Sequence, residues 1–126
     1  MKIRSIPALS LAFGCLLGLA ACSAPTADEP FPDPATATRK EGSFPNRENL
    51  AKVELGLTRN QMYDLLGPPH FHEGVFHVRV WNYLLNFRNA GATVTCEYQV
   101  QFDDDNRVSR TRWKSSECEE LAGPKL

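Results

Sequence analysis

The apolar residues Met62, Leu65 and Leu66 recur at helical spacing just before a Gly-Pro-Pro sequence. A helix start signal precedes them and a helix stop signal follows them. Thr58 is a favourable N-cap, and Gln61 three residues later completes a capping box. Leu57 and Met62 are spaced to form a hydrophobic staple across the cap. Gly67 suits the left-handed position after a helix. The pattern predicts a helix of about two to three turns, which must pack on another element because so short a helix is unstable alone.

The period of the apolar residues changes along the chain. A short helix is predicted over residues 46–53, with Asn46 as its N-cap. After Pro69 the pattern alternates with a period of two, which is typical of strands. Three strands are predicted over residues 76–87, 94–102 and 107–114. Two helices followed by three strands predict an α+β domain, with the helices packed on one face of a three-stranded antiparallel sheet.

Alternation within the strands predicts which side chains share a face. The apolar face of the first two strands contains Trp81, Tyr83, Leu85, Phe87, Val94, Cys96, Tyr98, Val100 and Phe102. The polar side chains of the second strand are Thr95, Glu97, Gln99 and Gln101. Strict alternation in the third strand places Ser109, Thr111 and Trp113 on one face, and Val108, Arg110, Arg112 and Lys114 on the other.

Residues 1–21 have the pattern of a signal peptide. Lys2 and Arg4 precede an apolar run that is shorter than the about 20 residues of a bilayer-spanning helix. The run ends in Leu-Ala-Ala-Cys22, which resembles a bacterial lipobox, so Cys22 is expected to carry the acyl chains of a lipoprotein, palmitate among them. Ser23, in place of Asp, favours the outer membrane and a periplasm-facing domain. The alternative is an ordinary secretory signal with an incidental Cys.

Composition divides the rest of the chain into three segments. Residues 22–43 are rich in Pro, Ala and Thr and poor in large apolar side chains, which predicts a lipidated Cys followed by a disordered tether. Residues 44–121 form the predicted domain, and residues 122–126 a tail. The 126 residues allow one small domain, and the net charge of −1 does not suggest nucleic acid as a partner.

Two cysteines remain in the predicted domain, Cys96 and Cys118. In an exported chain such a pair most often forms a disulfide. A metal site or a redox pair is the alternative, but the sequence has no Cys-x-x-Cys spacing.

Several short motifs follow one another in a fixed order: Gly56, Thr58, Gln61, Gly67, Pro69, Trp81 and Tyr83, with a strand ending in Phe102-Asp103. This order resembles the SmpA/OmlA domain family of BamE-like outer-membrane lipoproteins. The resemblance covers residues 50–114 and implies an α-α-β-β-β fold and a lipid anchor in the outer membrane. It also implies an envelope protein partner, such as the β-barrel assembly machinery. The same fold resembles that of β-lactamase inhibitor proteins.

Candidate catalytic chemistry is weak, and neither an enzyme nor a cofactor is expected. His70 and His72 are spaced for a shared metal, but further ligands would have to come from Glu73 or His77, so an exposed loop is expected instead. The Asp103-Asp104-Asp105 sequence lacks the other features of a calcium loop and predicts a hairpin turn.

Two groups of residues are candidates for binding a protein partner. Phe71 and Phe76 lie in a polar loop and are expected to be exposed, the alternative being that both rings fold over the edge of the core. Arg110 and Arg112 are expected to present a basic stripe to an acidic partner or an anionic headgroup, the alternative being a polar face partly paired with Glu97.

The sequence therefore predicts a non-enzymatic, lipid-anchored module that supports β-barrel protein assembly or envelope integrity. The alternatives are a periplasmic inhibitor or binding protein and a small secretion-system lipoprotein.

Overall fold

A computed structural model describes residues 29–73 and 79–125. Its regular elements confirm the α+β class: two helices, then a three-stranded antiparallel sheet in the order β1-β2-β3, then a third helix. The elements are α1 (Arg47–Ala51), α2 (Arg59–Leu66), β1 (Val80–Asn89), β2 (Ala92–Phe102), β3 (Val108–Trp113) and α3 (Ser116–Ala122). A single 3-10 turn, Pro34–Thr36, precedes them.

The local signals at the helix ends act as the sequence predicts. The side chain of Thr58 accepts a hydrogen bond from the Gln61 amide, and the Gln61 side chain accepts one from the Thr58 amide, which completes the capping box. Asn46 caps α1 through the amide of Asn49. After α2 the Gly67 amide donates to the Tyr63 carbonyl at 2.7 Å.

Gly67 has φ 75° and ψ −167°, a region that only glycine occupies without strain. No atom lies within 4 Å of the position of an added Cβ, so the cost of substitution comes from the backbone and not from a clash. We expect Gly67→Val to lower the free energy of unfolding by about 1–3 kcal/mol in a chemical denaturation experiment. Asp64→Val, at an exposed position within α2, is the control, and equal losses for the two variants would contradict this explanation.

Two tight turns set the register of the sheet. Ala90 and Gly91 connect β1 to β2 with φ angles of 49° and 82°, both positive as in type I′ hairpins. Between β2 and β3, an Asp103 carboxylate oxygen accepts from the amides of Asp105 and Arg107, which confirms the predicted hairpin turn.

The strand faces agree with the alternation, with one exception. Val108 is buried on the helix-covered face and pairs with Phe102, so its predicted place among the arginines is wrong. The cause is a register shift at Gln101 and Phe102, where β3 contains an extra residue. Such a β-bulge reverses the alternation on one side of it. Arg110 and Trp113, beyond the bulge, lie on their predicted faces.

The main core lies between the helices and the aromatic face of the sheet. It contains Leu50, Val53, Met62, Trp81, Tyr83, Leu85, Phe87, Cys96, Tyr98, Val100, Phe102, Val108 and Cys118. A disulfide joins Cys96 in β2 to Cys118 in α3, as the sequence predicts. Helix α3 was not predicted. Ser115 is the local signal for it, since its hydroxyl oxygen accepts a hydrogen bond from the Cys118 amide and so caps the helix.

Residues 29–43, here termed the N-terminal strap, cross the opposite face of the sheet. The Glu29 carbonyl accepts hydrogen bonds from Gln99 and Arg112, and the Thr38 amide donates to the His70 carbonyl. The prediction of a disordered linker is therefore wrong for these residues. These hydrogen bonds join the strap to residues distant in sequence, which explains why its composition did not indicate them. Residues 22–28 lie outside the described part of the chain.

The far end of the strap lies directly against β1. Ser43 forms a parallel β-bridge with Leu85. Its amide donates a hydrogen bond to the Leu84 carbonyl, and its carbonyl accepts one from the Asn86 amide. Gly42 has φ 65°, and a Cβ there would lie 2.8 Å from the Leu84 carbonyl oxygen. Glycine therefore permits a close approach that any larger residue would prevent.

Candidate partner-binding surfaces

The motif residues form one connected structural unit. The Tyr83 hydroxyl donates to the Gly67 carbonyl at 3.0 Å, which ties the end of α2 to the centre of β1. Burial raises the pKa of Tyr83 well above its usual range, so the hydroxyl keeps its proton. Gly56 turns the chain with φ 91° and donates its amide to the Val108 carbonyl. These residues hold the helices on the sheet.

A cation lies over the aromatic end of the same unit. The guanidinium of Arg59 is 5.6 Å from the ring centre of Trp81 and 5.0 Å from that of Phe102. Glu73 forms an ion pair with Arg59 at 3.2 Å and accepts a hydrogen bond from the Trp81 indole. The sequence did not indicate this cluster, because its four members lie on four separate segments.

The His70 side chain is fully buried between β1 and the strap. Its Nδ1 accepts a hydrogen bond from the Leu84 amide at 3.1 Å, and its own amide donates to the Asn82 carbonyl. Burial lowers the pKa of His70, nearby Arg39 lowers it further, and Glu41 acts in the opposite direction. The expectation of an exposed loop is therefore wrong for His70, which belongs to the interior, whereas His72 is exposed.

Phe71 is also part of the interior. Only 6% of its surface is exposed, and it packs with Ala37 and Leu84 in a small second core beneath the strap. The prediction that Phe71 is exposed for a partner is therefore wrong, and the alternative of a ring folded over the core is correct for it. The physical reason is the strap, which supplies the apolar contact that the loop itself lacks. Phe76 lies outside the described residues.

Both predicted arginines lie beside a groove of about 460 Å³ at the end of the strap. Arg110 is exposed, and the guanidinium of Arg112 lies 4.5 Å from the ring centre of Phe31. Arg112 also donates to the Glu29 carbonyl at 2.9 Å. Lys114, which the alternation places on the same strand face, forms a 2.7 Å ion pair with the buried Glu97.

The polar side chains that could have carried other chemistry have structural contacts. Ser115 caps α3, and Ser109 donates to the Gln101 carbonyl. Across residues 29–73 and 79–125, no three His, Cys, Asp or Glu side chains are grouped to hold a metal ion. Within those ranges, no helix has the length and apolar character needed to cross a bilayer.

The fold and its surfaces define a small α+β domain that presents a capped helix pair, a basic groove and a covered second sheet face. Residues 42–112 match the family described as the outer membrane protein assembly factor BamE domain. Because the match covers more than half of the chain, this chain belongs to the BamE domain family. The matched region begins at the end of the strap and ends in β3, so most of the strap and all of α3 lie outside it.

A curated relative agrees with the family assignment. The outer membrane protein assembly factor BamE of Polynucleobacter necessarius subsp. necessarius (strain STIR1) is 37% identical over 70 residues. The aligned part is 54% of this chain but only 30% of that relative's length. The similarity therefore concerns one domain and not the whole of the longer protein.

Proposed function

We propose that this protein is a non-enzymatic, lipid-anchored module that supports the assembly of β-barrel proteins in the outer membrane. The observation that carries the proposal is the position of the family match. It covers α1, α2, β1, β2 and nearly all of β3, together with the Tyr83–Gly67 hydrogen bond that holds helices and sheet together. Assembly of outer-membrane proteins is the role named in the description of that family.

We further propose that residues 1–21 are a signal peptide and that Cys22 carries the lipid. Two or more acyl chains anchor a protein stably, whereas one chain gives only marginal binding. Because the Glu29 carbonyl already accepts a hydrogen bond from Arg112, residues 22–28 would connect the anchor to the folded domain. So short a connection would keep the domain close to the periplasmic face of the outer membrane.

The anchor is tested with Cys22→Ala expressed in a Gram-negative host. We expect this variant to leave the outer-membrane fraction and to lose incorporated palmitate, because the acylated thiol is absent. Cys15→Ala is the matched control, since it removes a different cysteine, one within the predicted signal peptide, and should leave the protein acylated and in the membrane. A Cys22→Ala protein that still carries palmitate would contradict the lipidation site.

The assembly role is tested by crosslinking the wild-type protein in intact cells and purifying it from the solubilised envelope. The expected result is recovery of barrel-assembly subunits, together with reduced levels of folded outer-membrane barrels when the gene is deleted. Recovery of a soluble periplasmic enzyme, with barrel levels unchanged, would contradict the proposal. That result would favour an inhibitor or binding protein instead.

A further inference from the structure

Among residues 29–73 and 79–125, no segment pairs with the backbone groups on the outer edge of β3 from Thr111 to Trp113. The Lys114 amide donates to the Glu97 carbonyl, and β3 pairs Arg112 with Gln99 in the same register. Alternate residues of an antiparallel strand direct their peptide groups to the same side, so those of Arg112 also face β2. The peptide groups of Thr111 and Trp113 therefore face away from the sheet. Within the described residues, nothing forms a backbone hydrogen bond with them.

Elsewhere, other segments of the chain pair with parts of the sheet edges. At the centre of β1, His70 and Ser43 pair with the outward backbone groups of Asn82, Leu84 and Asn86. At the start of β3, the amide of Val108 donates to the Leu57 carbonyl. Such covering segments protect sheets from unwanted pairing. In the part of the chain that the structure describes, no strand covers the stretch from Thr111 to Trp113.

The groove described above follows this edge. It is lined by three cationic side chains, one carboxylate and two aromatic rings, one from each side of the sheet. The cations are Arg110, Arg112 and Lys125, the carboxylate is Glu119, and the rings are Phe31 and Trp113. Among the residues that line the groove, cationic side chains outnumber carboxylates, which favours an acidic ligand. The aromatic rings provide apolar contact area on either side of the strand.

We infer that the outer edge of β3 binds an extended, acidic segment of a partner protein, which adds to the sheet as a fourth strand. The peptide groups of Thr111 and Trp113 would pair with the backbone of that segment. Side chains alternate between faces, so every second residue of the ligand would face Arg110 and Arg112, and the others would face Trp113. An alternation of acidic and apolar residues fits both faces.

This inference deepens the proposed function by defining the chemistry of a partner, and it is tested with purified components. The probe is a seven-residue peptide of alternating Glu and Val with blocked ends, added to the full chain in detergent. Binding is followed by amide hydrogen exchange. We expect slower exchange at Thr111 and Trp113, and no change at Arg112, whose amide already faces β2.

Two further comparisons separate backbone pairing from simple charge attraction. A peptide with N-methyl groups on the residues that pair with the strand keeps its charge but loses its donors, and should not bind. Arg110→Gln should weaken binding by about tenfold, as expected for one charge-assisted contact. Lys52→Gln removes the same charge at an exposed position on the helical side and should bind as the wild type does.

Equal binding of the N-methylated peptide would overturn the inference, as would protection of the same amides by anionic phospholipid vesicles alone. Failure of the peptide to bind would also overturn it. None of these outcomes bears on the crosslinking result, because barrel-assembly subunits can contact other surfaces of the domain. The two proposals therefore fail separately.

Discussion

Removing the disulfide is expected to lower the free energy of unfolding by about 3 kcal/mol. The bridge closes a loop with a sequence separation of 22 residues, and its loss restores conformational entropy to the unfolded chain. For a domain of this size we expect the melting temperature to fall by more than about 10 °C. The measurement compares thermal unfolding of a Cys96→Ala, Cys118→Ala double variant with that of the oxidised wild type.

The structural consequence should be concentrated in α3. This seven-residue helix is too short to be stable alone, and apart from Cys118 it is held mainly by partly buried Leu121 and Ala122 and by the Arg47 bond to the Leu121 carbonyl. We expect amide exchange in α3 to accelerate more than exchange in β2. Reductant should lower the melting temperature of the wild type and leave that of the double variant unchanged. A double variant as stable as the wild type would show that the core alone holds α3.

The sequence predicts elements whose causes are local. The capping box of α2 depends on Thr58 and Gln61, three residues apart, and the structure contains it as predicted. The aromatic face of β1 and β2 follows from a period of two, which both strands keep. The fold class follows from these elements and their order.

Features that depend on contacts distant in sequence were not predictable in the same way. The strap forms hydrogen bonds with residues up to 83 positions away, and its composition resembles that of a linker. The burial of Phe71 follows from the strap and could not be inferred without it. The bulge that turns Val108 inward leaves no trace in the alternation, because it depends on how β3 meets β2. For the candidate site, the sequence indicated both arginines, but not the open strand edge beside them.

Stability is expected to fall as the solution becomes more acidic than pH 6.5, and His70 is the reason. The unfolded His70 binds a proton near pH 6.5, whereas the folded side chain has a lowered pKa and remains neutral. Below pH 6.5 the unfolded state therefore binds more protons than the folded state. Linkage then reduces the free energy of unfolding by at most about 1.4 kcal/mol per pH unit until the folded pKa is reached.

The contacts of His70 explain why its protonation is unfavourable. Nδ1 must be unprotonated to accept the Leu84 amide, and the neutral ring lies 5.9 Å from the ring of Tyr83 in an edge-on arrangement. A protonated ring would lose that hydrogen bond and place a charge near Arg39, which Glu41 offsets in part. Because the His70 carbonyl accepts from Thr38, the strap is the neighbouring segment that we expect to loosen first.

His70→Asn separates titration from packing. The side-chain oxygen of Asn can accept the hydrogen bond of the Leu84 amide in place of Nδ1, but Asn does not titrate. The variant should therefore lose the part of the pH dependence that is due to His70 and keep the part that is due to other groups. Denaturation midpoints are measured between pH 7.5 and 5.5, a range above the usual pKa of the carboxylates. His72→Asn, at the exposed histidine, should keep the wild-type slope. If His70→Asn and the wild type lost stability equally over this range, the acid sensitivity would have to arise from another group, and the link between His70 and the strap would be wrong.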